Sequence, residues 1–87
     1  MEFEFDEQKS AANQAKHGID FVLAQALRLD DSLVEVPART QDEPRFLVVG
    51  MIGTRHWSAI VTYRGPSVRI ISVPRARVEE VALYEGE

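Results

Sequence analysis

The spacing of apolar residues changes twice along this chain, and the two changes constrain its fold more than any other feature. Up to Asp31 the pattern is helical. From Leu33 to Val73 it becomes twofold and rich in valine, isoleucine and aromatics, and after Pro74 it turns helical again. Asp6 is placed to cap a helix running to about His17, with Gly18 as its left-handed stop. Asp20 is placed to cap a second helix, from Phe21 to about Leu29. Strands are expected over Leu33–Val36, Phe46–Ile52, Trp57–Tyr63 and Val68–Val73, with tight turns at Gly53-Thr54 and Arg64-Gly65-Pro66. Arg75 to Tyr84 reads as a final helix. Glu2 to Phe5 alternates polar and aromatic residues, which suits a short edge strand or an arm across the core. Pro37 to Pro44 reads as a polar, mobile loop. The expectation is an α+β fold: two N-terminal helices, a four-stranded antiparallel sheet and one C-terminal helix.

Eighty-seven residues make one domain spanning 1–87, which buries on the order of 60–65% of the unfolded chain's surface. With no cysteine, a disulfide framework, a thiolate metal site and a cysteine nucleophile are excluded. The acidic start Met1 to Asp6 is the opposite of a signal peptide, and no apolar run reaches membrane-spanning length. A cytoplasmic protein without membrane partners is expected.

Charge is sorted by position. Formal net charge is -4, yet Pro44 to Val78 holds no acid and six arginines: Arg45, Arg55, Arg64, Arg69, Arg75 and Arg77. Such a window can present a cationic face, and arginine's forked donors match phosphate oxygens. On the first helix, Lys9, Asn13, Lys16 and His17 share one sector, with Ala11 and Ala15 on the other side to let the helix approach the sheet. In the third strand Trp57, Ala59, Val61 and Tyr63 face the core, and His56, Ser58, Ile60, Thr62 and Arg64 face away. Arg75 falls at a strand-to-helix junction where backbone N–H groups also point outward. No Gly-rich phosphate loop, nucleophile elbow or histidine pair at metal-ligand spacing is present, so no cofactor or metal is expected. A DNA-recognition helix is absent too.

Phe5-Asp6-Glu7-x-Lys9, Asn13-x-x-Lys16-His17-Gly18-Ile19-x-Phe21, Thr62-x-Arg64-Gly65, Arg69-Ile70-Ile71-Ser72 and Arg75-Ala76 together resemble the BrnT family of toxins, nearly end to end. The resemblance implies a bacterial type II toxin–antitoxin system with a RelE-like fold and a ribonuclease that blocks translation. Its partners would be RNA and a BrnA-like ribbon-helix-helix antitoxin, with DNA reached only through the antitoxin. The chain departs from the family at Pro74, where an arginine is usual, at Val81-Ala82, and at Val22-Leu23, which adds apolar surface to the second helix.

Metal-independent RNA cleavage needs a base, cations for the phosphorane-like transition state and an acid. His17 is the candidate base or acid, since imidazole titrates near neutrality. Lys16, Arg64, Arg69 and Arg75 are the candidate phosphate clamp. Lys9, Asn13 and Arg45 are candidate RNA contacts, and Tyr84 and Glu80 are reserves for the acid. The alternative is a catalytically inactive toxin-like module retained for binding a protein.

Overall fold

A computed structural model describes residues 2–39 and 42–86. The elements run β1 (Glu2–Glu4), α1 (Glu7–His17), α2 (Phe21–Ala24) continuing as a 3-10 helix (Gln25–Leu29), β2 (Val34–Ala38), β3 (Arg45–Ile52), β4 (Arg55–Arg64), β5 (Ser67–Ser72) and α3 (Val78–Glu85). The α+β class and the three helices match expectation. The sheet does not: it has five strands in the order β1-β5-β4-β3-β2. β1 adds parallel to β5 through Glu2–Ser67, Phe3–Val68 and Glu4–Arg69. The other pairings are antiparallel, and two-residue turns join β3 to β4 and β4 to β5.

Several boundaries shift for physical reasons. β2 runs through Pro37, which the sheet tolerates because β2 is its outer strand and needs no N–H there. The loop expected over Pro37–Pro44 therefore starts later, and its Thr40-Gln41 segment lies outside the described residues. The second helix is α-helical only to Ala24. It then tightens to a 3-10 helix whose last turn delivers Asp30 to the Met51 N–H. α3 begins at Val78 rather than Arg75, because the chain stays extended beside β4 after β5 ends. Ser58 N–H donates to Pro74 C=O at 3.0 Å, Ala76 N–H donates to His56 C=O at 3.1 Å, and Trp57 bridges Arg75.

Both predicted caps of α1 are present. Asp6 accepts from Gln8 N–H and Lys9 N–H, and Gly18 closes the helix at φ +88°. Its packing face is the reverse of the expected one. Ala11 and Ala15 are exposed, whereas Ser10 and Asn13 are buried. Polar residues can face the interior here because each satisfies backbone groups: Ser10 Oγ accepts from Phe21 N–H, and Asn13 bonds Ile19 and Val73.

The core lies between one sheet face and the α2 region. Ile19, Phe21, Ala24 and Leu27 pack on Val48, Trp57, Ala59, Val61, Val68 and Ile70, and Phe5 meets the Phe21 ring edge-on at 5.6 Å. The two faces of β4 alternate as expected, but the second is not an open surface: Ser58 and Thr62 are buried, donating to Glu80 and to Pro44 C=O, and Tyr63 on the first face is partly exposed beside Arg28 and Glu35. The opposite face is partly roofed by α3. Gly50 lets the α2 region close down on β3: a Cβ there would sit 3.0 Å from Leu27 Cδ2 and 3.3 Å from Asp30 Oδ2.

Candidate active site

A shared register carries β5 into the site. Ile60 pairs with Ser72 but Val61 pairs with Ile70, so Ile71 is an extra residue, a β-bulge that re-aims the end of the strand. Beyond it the chain follows β4 to the Trp57–Arg75 bridge. This extended tail forms one wall of an open groove of about 440 Å³. Lys16 and His17, from the C-terminal end of α1, form the facing wall. Leu47, Ser58, Ile60 and Ser72 supply the sheet side, and Arg77 and Glu80 close the end nearest α3.

Lys16, His17 and Arg75, expected to act together, are thus brought to one groove. The Arg75 guanidinium lies 5.4 Å from the Trp57 ring centroid, a cation–π interaction that orients it. Among the described residues no carboxylate pairs with Arg75, Lys16 or His17. Arg64 and Arg69 do not line the groove. Arg69 pairs with Thr62, further along the same sheet face from Ser72 and Ile60, and its guanidinium lies 3.5 Å from Glu4. Arg64 lies 3.8 Å from the same carboxylate and 3.5 Å from Glu43. β1 therefore brings to these two arginines the acid that the sequence window lacks.

The remaining candidates are spread out. Lys9 is exposed one helical stretch away from the groove. Asn13 is buried, with all its hydrogen bonds spent on backbone. Arg45 sits at the start of β3 opposite Ala38, and its Nε is buried without a hydrogen-bond partner among the described residues. Glu80 reaches the groove, where it accepts from Ser58 Oγ and from Arg77 N–H, each at 2.8 Å. Tyr84 points elsewhere: its hydroxyl donates to Asp30 Oδ2 at 2.7 Å. That bond raises the Tyr84 pKa, burial adding to it. Asp30 is held below the usual carboxylate range by the Met51 N–H first, then by Tyr84 and the Ser32 N–H.

Ser58, Ser72 and Arg77 are groove residues that sequence reasoning did not single out. The available signals were Ser58's place on the strand face opposite Trp57 and Arg77's place in the acid-free window.

A sequence profile described as "Ribonuclease toxin, BrnT, of type II toxin-antitoxin system" matches residues 5–80. The chain belongs to this family. No individual curated protein is similar enough to count as a match. The BrnT profile begins at Phe5 and ends at Glu80, so it takes in all of α1, the sheet from β2 to β5 and the Arg75–Glu80 segment of the groove. Membership of a type II toxin family carries with it a protein antitoxin as partner. The Val22-Leu23 departure is exposed, as expected: the side of α2 that faces away from the core presents Val22 at 61% and Leu23 at 59% exposure. No helix among the described residues is long and apolar enough to cross a membrane.

Proposed function

We propose that the chain is a metal-independent endoribonuclease acting in the cytoplasm, and that its catalytic surface is the groove bounded by Lys16, His17 and Arg75. The observation that carries this reading is the meeting, in one open groove of a BrnT-family chain, of an imidazole and two cations that no carboxylate pairs with among the described residues. His17 takes the proton from the ribose 2′-oxygen, which then attacks the adjacent phosphorus. The bond to the departing 5′-oxygen breaks, leaving a 2′,3′-cyclic phosphate, and a proton donor completes the leaving 5′-hydroxyl. Arg75, with its forked donors, and Lys16 stabilise the extra charge on the pentacoordinate phosphate. Ser72 lines the path of the strand, whereas Ser58 is fully buried and its hydroxyl donates to Glu80. Glu80 holds Ser58 and the start of α3 by accepting from Ser58 Oγ and from Arg77 N–H. Cleavage of this kind inhibits translation, and a BrnA-like ribbon-helix-helix antitoxin neutralises it.

Purified chain incubated with single-stranded RNA in excess chelator tests the reading. Cleavage to cyclic-phosphate ends that His17→Ala abolishes is the expected result. Cleavage that needs added divalent metal, or that survives His17→Ala unchanged, would refute it. One observation favours the inactive-module reading: Arg64 and Arg69 are already engaged by Glu4 and Glu43. Under that reading the folded chain binds antitoxin and leaves RNA intact.

A further inference from the structure

Asn13 sits where the sheet runs out of strand. β1 pairs with β5 only across Ser67–Arg69, so beyond those residues the outer edge of β5 has no strand neighbour among the described residues. Val73, fully buried on this edge, still needs partners for its N–H and C=O. Asn13 supplies both. Val73 N–H donates to Asn13 Oδ1 at 3.1 Å, and Asn13 Nδ2 donates to Val73 C=O at 2.9 Å. One side-chain amide thus makes the pair of bonds that a strand residue would make. Its second Nδ2 hydrogen goes to Ile19 C=O, also at 2.9 Å. Because two of the three partners are carbonyls and one is an N–H, only one orientation of the amide satisfies them.

The two ends of this clamp lead to the two walls of the groove. Asn13 stands one helical turn before His17 on α1, and Ile19 follows just after it. Val73 precedes Arg75 by two residues, on a tail whose other side is tied to β4 through Ser58 and Pro74. No other side chain among the described residues hydrogen-bonds α1 to that tail. We propose that Asn13 is a positioning residue that fixes the spacing of His17 and Arg75 across the groove. The inference rests on the proposed nuclease site, and it gives Asn13 a role in catalysis without touching RNA.

Asn13→Asp keeps the shape of the side chain but, when ionised, cannot donate to either carbonyl. Since a misplacement of about 1 Å costs on the order of 10²-fold, kcat should fall by about that factor in samples whose circular dichroism matches wild type, with KM for RNA changed by less than about threefold. Against an Arg75→Ala background the same substitution should cost less than about threefold more, because the group it positions is already gone. Equal proportional losses in both backgrounds would overturn the proposal, since they mean that Asn13 acts on the fold as a whole. Asn13→Ser repeats the comparison if Asn13→Asp does not fold. A wild-type chain that cuts no RNA would remove the nuclease reading alone, and crystal structures then decide the clamp. A His17–Arg75 Cα separation altered by about 1 Å in the variant supports it, and an unchanged separation overturns it.

Discussion

Replacing Arg75 by alanine removes the groove guanidinium that no carboxylate neutralises among the described residues. A charge-assisted hydrogen bond is worth about 1.5–3 kcal/mol. A forked pair to a transition-state phosphate belongs at the upper end, which is about 10²-fold in rate. Arg75→Lys keeps the charge and loses the fork, so it should recover part of that loss. Stability should change little, because the guanidinium's interaction within the protein is the cation–π pair with Trp57, worth about 0.5–1 kcal/mol at an exposed site. Arg69→Ala provides the contrast. Its guanidinium is already paired with Glu4, and a partly exposed ion pair contributes about 0–1 kcal/mol to folding, so both rate and stability should stay close to wild type. Single-turnover cleavage of a single-stranded oligonucleotide at fixed salt measures the three variants. A salt series adds a second reading: the log–log binding slope should become shallower by about 0.7 for Arg75→Ala, as when a protein neutralises one phosphate fewer on a single strand. Arg75→Ala within about threefold of wild type, or Arg69→Ala as damaging as Arg75→Ala, would refute the assignment of phosphate binding to the groove.

Other perturbations probe the fold around the site. Phe21→Ala removes a fully buried ring that meets Phe5 edge-on and should cost about 3–5 kcal/mol in urea unfolding, a large share of a small domain's stability. Gly50→Ala places a Cβ 3.0 Å from the buried Leu27 Cδ2 and should destabilise by about 1–3 kcal/mol. Asp30 has a depressed pKa when folded, so its contribution is fully present above its unfolded value near 3.8 and is lost as pH falls through the folded value. Thermal unfolding of Asp30→Asn and wild type should therefore differ at neutral pH and converge in acid.

The strand half of the fold was legible because its signal is local. The alternation of Trp57, Ala59 and Val61 with His56, Ser58 and Ile60 needs no tertiary information to give the two faces of β4, and Gly53 and Gly65 mark turns that only a positive φ completes. β1 was harder to read. Three residues carry little pattern, and their value lies in a parallel pairing with β5, which is more than sixty positions away. That one strand changes the electrostatics, since Glu4 reaches Arg64 and Arg69 only after folding. The acid-free window was therefore a property of the sequence and not of the whole folded surface. α1 misled for another reason. Ser10 and Asn13 look like solvent-facing residues, but their side chains replace missing backbone partners, and no periodicity rule separates a polar residue serving water from one serving an unpaired strand edge. The Lys16, His17 and Arg75 grouping was legible because the helix end and the strand end each carry a conspicuous cluster. Ser72 joined it next to the bulge at Ile71, which has no sequence mark of its own.

The central claim, that the groove between α1 and the Val73–Arg77 tail is where RNA is held, is tested most directly by nuclear magnetic resonance on the folded, isotope-labelled chain. The titrant is a 2′-O-methyl oligonucleotide, which lacks the attacking hydroxyl and is not cut. The account predicts saturable shifts at Lys16, His17, Ser58, Ser72 and Arg75, with Arg64 and Arg69 moving little and Arg75→Ala weakening the titration. Shifts centred on Arg64 and Arg69, with Lys16, His17 and Arg75 unmoved at saturation, would contradict it.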